Sequence, residues 1–269
     1  MKQITAITPT ICRLMGIDPP KLSIEEALEI VLDAKSNIIG EHPVEKCFIY
    51  APDAIGEKLF QMQSKEFEAI TKVAPVQVVL RSIMPPKTPV CFASMFTGAK
   101  PDAHGIKRYE KPVLSCDTLF DALIRAEKKM AIVAVRESSI SLIFLNRHLD
   151  YFIEDYDQQV IDRTHQILRD YDHDLILVYN QEYDDTMHRT TPCSEEALNA
   201  MKKHLETFVN LTEAFLDRYK DHNCLTLFSP DHGAHINPET GHGDHGLDTP
   251  EDMEVRSFWG IHDKTNQRP

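Results

Sequence analysis

The chain has 269 residues, with 29 Lys and Arg against 42 Asp and Glu, so its formal net charge is −13. A surface that holds a nucleic-acid polymer by its phosphates needs a clustered excess of basic residues, and this composition argues against that class of partner. With 42% hydrophobic and 26% charged residues the sequence reads as globular; its length suits one large or two small domains, and since no linker or repeat divides it, a single domain over residues 1–269 is expected.

Residues 1–13 hold no apolar stretch long enough for a signal peptide, and nowhere do about eighteen apolar residues run together to span a bilayer. The expectation is a cytoplasmic protein with no membrane partner. The cysteines, Cys12, Cys47, Cys91, Cys116, Cys193 and Cys224, form no CxxC pair, which points to mostly buried, reduced thiols.

In chain order, short apolar runs alternate with stretches of helical period. That is the pattern of an α/β fold with a mostly parallel central sheet covered by helices on both faces. A helix is expected over 23–34, with Glu25 and Glu26 in its first turn, followed by strands at 47–51 (CFIYA) and 76–80 (VQVVL). Thr88 precedes Pro89, a residue favoured at the first helical position, so its hydroxyl is expected at a helix amino end. There it serves either as an ordinary cap or beside a phosphate oxygen drawn by free N–H groups and the helix dipole.

A helix over 118–128, a strand at 130–135 (MAIVAV), a helix over 158–169 and a strand at 175–179 (LILVY) follow. Over 194–219 the residues Ala197, Met201, Leu205, Phe208, Leu211, Ala214 and Phe215 recur every three or four positions, a core-facing stripe. Strands at 224–228 (CLTLF) and 255–259 (VRSFW) complete the set.

In open α/β sheets, ligands gather beyond the carboxyl ends of the strands, and here those ends carry carboxylates and imidazoles. Asp53 follows CFIYA. Asp184 and His188, four apart after LILVY, share a face if that stretch is helical. Asp231 and His232 follow CLTLF, and the loop GHGDHG adds His242, Asp244 and His245. Each piece also has a plainer reading: a lone Asp as a turn former, and the histidines of 232–245 as a solvated loop. Taken together, three Asp and three His form a mixed nitrogen and oxygen donor set that suits zinc and, less well, manganese. Two three-ligand sites can be built from it, each with a position open to water or substrate. A neighbouring ion would be needed to ionise a hydroxyl as weakly acidic as that of Thr88.

Four motifs together resemble the alkaline phosphatase superfamily and, within it, the type I phosphodiesterase and nucleotide pyrophosphatase group. They are APD at 51–53, KTPVCFASMFTGAKPDAHGI at 87–106, YDDTMH at 183–188, and SPDHG at 229–233 with GDHG at 243–246. The resemblance implies that Thr88 is the nucleophile and binds the ion held by Asp53, Asp231 and His232, while Asp184, His188 and His245 hold a second ion. It implies two divalent metal ions, Zn2+ or Mn2+, in an alkaline-phosphatase-like fold. The implied reaction is hydrolysis of a small phosphorylated substrate (a phosphodiester, nucleotide or phosphomonoester) through a phosphothreonine, with retention at phosphorus. A metal-dependent phosphomutase and a non-catalytic metal-binding relative are the alternative readings.

Two departures stand out. Cys91 lies three residues after Thr88, where the phosphodiesterases usually carry Asn, and a thiol is a weaker donor to a phosphate oxygen. Residues 7–20 resemble a segment normally near the carboxyl end, and 251–261 resemble what precedes it, which implies a circular permutation. The chain is also short for the family, so substrate recognition is expected from loops within the one domain.

Overall fold

The apolar runs pair into one seven-stranded sheet in the computed structural model, which describes residues 1–265. Its strands are β1 (Lys46–Pro52), β2 (Val76–Arg81), β3 (Met130–Val135), β4 (Asp150–Glu154), β5 (Leu175–Asn180) and β6 (Cys224–Phe228). A two-stranded hairpin, β7 (His235–Ile236) and β8 (Gly243–Asp244), precedes β9 (Glu254–His262). The order across the large sheet is β2-β9-β6-β1-β5-β3-β4, and β9 runs against both of its neighbours while the remaining pairings are parallel. The mostly parallel sheet expected from the sequence is therefore present. β4 was not among the expected strands: it is an edge strand with partly exposed residues, so it lacks the continuous apolar run of a central strand.

Every residue of β1, β3, β5 and β6 is buried, because alternate side chains enter two different cores. Cys47, Ile49 and Ala51 join one core with Val90, Phe92 and Phe96 of the helix Thr88–Thr97. Phe48 and Tyr50 join the other with Met201, Phe208 and Phe215 of the helix Glu195–Arg218. That long helix starts as its sequence suggests, with the Ser194 hydroxyl accepting from the Ala197 N–H at 3.1 Å. Near the amino end the expectation fails. The helix there is Glu29–Ile39, not 23–34, because the Ile24 N–H donates to Gly98 O and the Leu28 N–H to the Thr10 hydroxyl, which ties the first residues to other segments.

The helix Ile7–Met15 packs beside the helix Thr88–Thr97, with the Thr8 hydroxyl donating to Met95 O at 2.7 Å. Among the described residues no helix is long and apolar enough to cross a membrane. The six cysteines are free thiols; Cys12, Cys47, Cys91 and Cys224 are buried, Cys116 is half-buried and Cys193 is exposed.

Candidate metal centre

β1, β5 and β6 lie side by side and run in the same direction, so their carboxyl ends open on one edge of the sheet. Asp53 leaves β1 there, Asp231 and His232 follow β6, and the helix Glu182–Arg189 after β5 brings Asp184 and His188 onto one face. The segment 243–246 crosses over them and delivers His245. Two groups form, Asp53 with Asp231 and His232, and Asp184 with His188 and His245. In each, the candidate donor atoms lie within 4.8 Å of one another. His232 and His245 join the groups by stacking at a ring-centroid distance of 4.0 Å.

The hydrogen bonding of the imidazoles says what these groups lack. Nδ1 of His188 is 2.9 Å from Gly243 O, Nδ1 of His232 is 3.0 Å from Gly233 O, and Nδ1 of His245 is 2.7 Å from Pro86 O. A carbonyl oxygen only accepts, so each Nδ1 carries the hydrogen, and in the neutral ring Nε2 is left as a lone pair. Those lone pairs face carboxylates: His232 Nε2 is 3.2 Å from Asp231 Oδ2 and 3.5 Å from Asp53 Oδ1, and Asp184 Oδ1 is 3.4 Å from His188 Nε2 and 3.6 Å from His245 Nε2. Burial, and next the neighbouring His245, depress His232 far below the ordinary imidazole range, and burial followed by Lys87 takes His245 down to about 3. Both rings are thus neutral, and each turns its Nε2 lone pair, not an N–H, toward the carboxyl groups. Asp184 Oδ1 and Asp231 Oδ2 are moreover buried without a hydrogen-bond partner. A buried acceptor with no donor is costly, and one divalent cation in each group would satisfy these atoms. The donor set fits such ions.

The carboxyls give the same picture. Burial raises Asp53, Asp184 and Asp231 well above the usual carboxylate range, reinforced most by Asp184 on Asp53, by Asp231 on Asp184 and by Asp53 on Asp231. Three acids crowded out of water repel one another's charge unless a cation lies among them.

Thr88 is the first residue of its helix; Lys87 occupies the capping position and no side chain caps the end. The hydroxyl is therefore not the ordinary cap. It lies 3.4 Å from Asp53 Oδ1 and 3.4 Å from His232 Nε2, against the first group. Val90 and Cys91 both donate to Lys87 O, so the Thr88 amide is the first-turn N–H without a partner among the described residues.

A cleft of about 450 Å3 opens over Thr88, Asp53, Asp184, His188 and His245. Its other walls carry residues that the sequence reading passed over: Lys87, Lys111, Arg136, Ser139, Tyr179 and Gln181. Tyr179 ends the apolar run of β5, and its hydroxyl donates to Asp53 Oδ2. Arg136 to Ser139 follow β3, so the same strand-end logic could have found them. Cys91 is not in the cleft. Its thiol is buried 3.2 Å from the Ser82 hydroxyl, and the Asn-like donor position contributes nothing to the walls. His242 is exposed and Asp244 sits beside the centre, accepting from the His245 N–H at 2.8 Å.

No family model and no curated protein matches the chain. Solved structures do. Murine ectonucleotide pyrophosphatase/phosphodiesterase 5 in complex with AMP is similar, with a TM-score of 0.57 at 15% identity, over 72% of this chain and 59% of that one. Phosphonoacetate hydrolase from Sinorhizobium meliloti in complex with phosphonoformate gives a TM-score of 0.55 at 14% identity, over 74% of this chain and 59% of that one. The C-terminal periplasmic domain of a phosphoethanolamine transferase from Campylobacter jejuni gives 0.55 at 14% identity, over 84% and 82%. The chain has the fold of the alkaline phosphatase superfamily. Against the first two relatives this alkaline-phosphatase-like chain matches only about three fifths of their length.

Proposed function

We propose that the protein is a two-metal phosphoesterase that hydrolyses a phosphodiester, nucleotide or phosphomonoester through a phosphothreonine. The observation that carries this reading is the Thr88 hydroxyl beside one of two adjoining three-residue groups whose imidazole nitrogens and carboxyl oxygens face one another. Asp53, Asp231 and His232, with Thr88, would hold one ion, and Asp184, His188 and His245 the other; the mixed donor set favours Zn2+. When bound, such ions supply Lewis acidity to a phosphoryl oxygen and lower the pKa of an attached hydroxyl.

The residues of the chain do the rest. Thr88 Oγ1 loses its proton to solvent and attacks phosphorus, the bond to the leaving oxygen breaks with that oxygen taking the electron pair and a proton from solvent, and the phosphoryl group is held on Thr88. Water then attacks that phosphorus from the vacated side, the bond to Oγ1 breaks, and Thr88 recovers a proton. Two inversions retain configuration. The unpartnered Thr88 amide and the positive helix end stabilise the transferred anion, standing in for the donor that Cys91 does not provide. Lys87, Lys111 and Arg136 give the cleft its basic side chains.

The relatives in complex with AMP and with phosphonoformate support phosphoryl or phosphonyl chemistry in this fold. A net charge of −13 favours a small phosphorylated substrate over a nucleic-acid polymer, and six free thiols suit a cytoplasmic setting. The permuted segment order is likewise our reading, supported by the packing of the helix Ile7–Met15 on the helix that carries Thr88.

Metal analysis together with turnover of nitrophenyl phosphate mono- and diesters tests the assignment on the wild type and Thr88→Ala. Both should bind two ions per chain, with turnover falling by roughly 10^3-fold or more in the variant. Metal-dependent turnover that survives Thr88→Ala would remove the nucleophile, and a wild type that binds no metal would remove the centre.

A further inference from the structure

Asp252 lies in none of the strand ends and in neither three-residue group, yet it is fully buried and every polar atom of its carboxylate is engaged. Oδ2 accepts from the Gly246 N–H at 2.7 Å and from the Leu247 N–H at 2.8 Å, the two amides that directly follow His245. Oδ1 lies 2.7 Å from Nδ1 of His235, in the loop that leaves His232. The backbone carbonyl of the same residue accepts from the Gly233 N–H at 2.9 Å, the amide next to His232. Gly233 also passes so close to the Glu251 carbonyl that any Cβ would collide with it. One residue on the short turn Pro250–Met253 thus grips the loop behind each of the two stacked histidines.

We propose that Asp252 is a positioning residue that couples the two metal half-sites, so that both ions depend on a carboxylate neither of them touches. The inference rests on the two-ion reading above. Its physical basis is that carboxylate oxygens are acceptors on both sides. An Asn at this place keeps its oxygen on the Gly246 and Leu247 amides only in weaker, uncharged bonds, and its NH2 then faces His235 Nδ1, which accepts only if its hydrogen moves to Nε2, so both grips change. The loop so released carries its imidazole away from the position at which Nε2 meets the opposing carboxylates. Residues that hold ligands in place in this manner typically change metal affinity by about 10- to 100-fold.

The test is chelator competition for Zn2+ on metal-free protein, with Co2+ absorption to follow each ion and thermal melting of the metal-free form alongside. Asp252→Asn should weaken both ions, each by roughly 10- to 100-fold, with the metal-free melting temperature nearly unchanged. His188→Ala, which removes a donor from one group, should weaken mainly the ion of that group. If Asp252→Asn does not fold, His235→Phe replaces it; this side chain is part-exposed, and its loss should loosen the ion of Asp53, Asp231 and His232 first. Wild-type affinity for both ions in Asp252→Asn, or loss of only one, overturns the coupling while leaving the two-ion centre intact. Fewer than two ions in the wild type defeats the two-ion reading itself, and the coupling with it.

Discussion

The two candidate half-sites are built from the same residue types on different supports. Asp53, Asp231 and His232 extend directly from the ends of neighbouring strands and are at most 2% exposed. Asp184 and His188 ride on the eight-residue helix Glu182–Arg189, and the His188 side chain is 36% exposed. Strands hydrogen-bonded on both sides fix backbone positions more tightly than a short helix and a crossing loop do. Thr88, the proposed nucleophile, sits against the rigid half, which would aim its oxygen at phosphorus within a few tenths of an ångström. The open half is the side from which water can enter, as the proposed second displacement would need.

Substitutions that strike one half at a time will break or sharpen this contrast. Asp231→Ala should empty the rigid half and lower turnover by roughly 10^3-fold or more, with metal analysis reading a loss of one ion per chain. The exposed ligand should matter less: His188→Ala should leave the first ion in place and cost about 10^2-fold in turnover, largely restored by raised metal concentration. Equal and irreversible losses in the two variants would mean that the halves do not differ as their supports suggest. Tyr179→Phe removes only the hydroxyl that donates to Asp53 Oδ2, and a fall in kcat of about 10-fold with little change in KM is expected from steady-state kinetics.

The smallest effect is on stability against pH. Asp53, Asp184 and Asp231 have folded-state pKa values raised above the ordinary carboxylate range, so the stability they contribute is present at low pH and lost as pH rises through those values. Bound cations cancel that loss by favouring the ionised forms. The gap in melting temperature between metal-loaded and chelator-treated protein should therefore be wider at pH 8 than at pH 5, by several degrees. A gap independent of pH would show that the acids are not ionised around a cation.

The strands at 47–51, 175–179 and 224–228, and the Asp and His residues beyond them, were legible because fully buried strands leave continuous apolar runs and the polar residues that interrupt those runs stand out. β4 was illegible for the converse reason, and the helix near the amino end was misplaced because the amides of Ile24 and Leu28 are taken by partners far away in sequence. Cys91 shows the limit of matching one position at a time. Its place in the motif suggests a substrate contact, whereas its thiol packs beneath the site against Ser82.

Residue identity alone thus determined an acidic α/β chain with three Asp and three His after its strands, since hydrophobic period and donor chemistry are properties of short segments. That Asp53, Asp231 and His232 meet beside Thr88, as the resemblance implied, and that the Tyr179 hydroxyl reaches Asp53 were decided only when β1, β5 and β6 aligned their ends. Those contacts join residues 126 and 144 positions apart, and a hydrogen bond between such distant groups leaves no periodic trace along the chain.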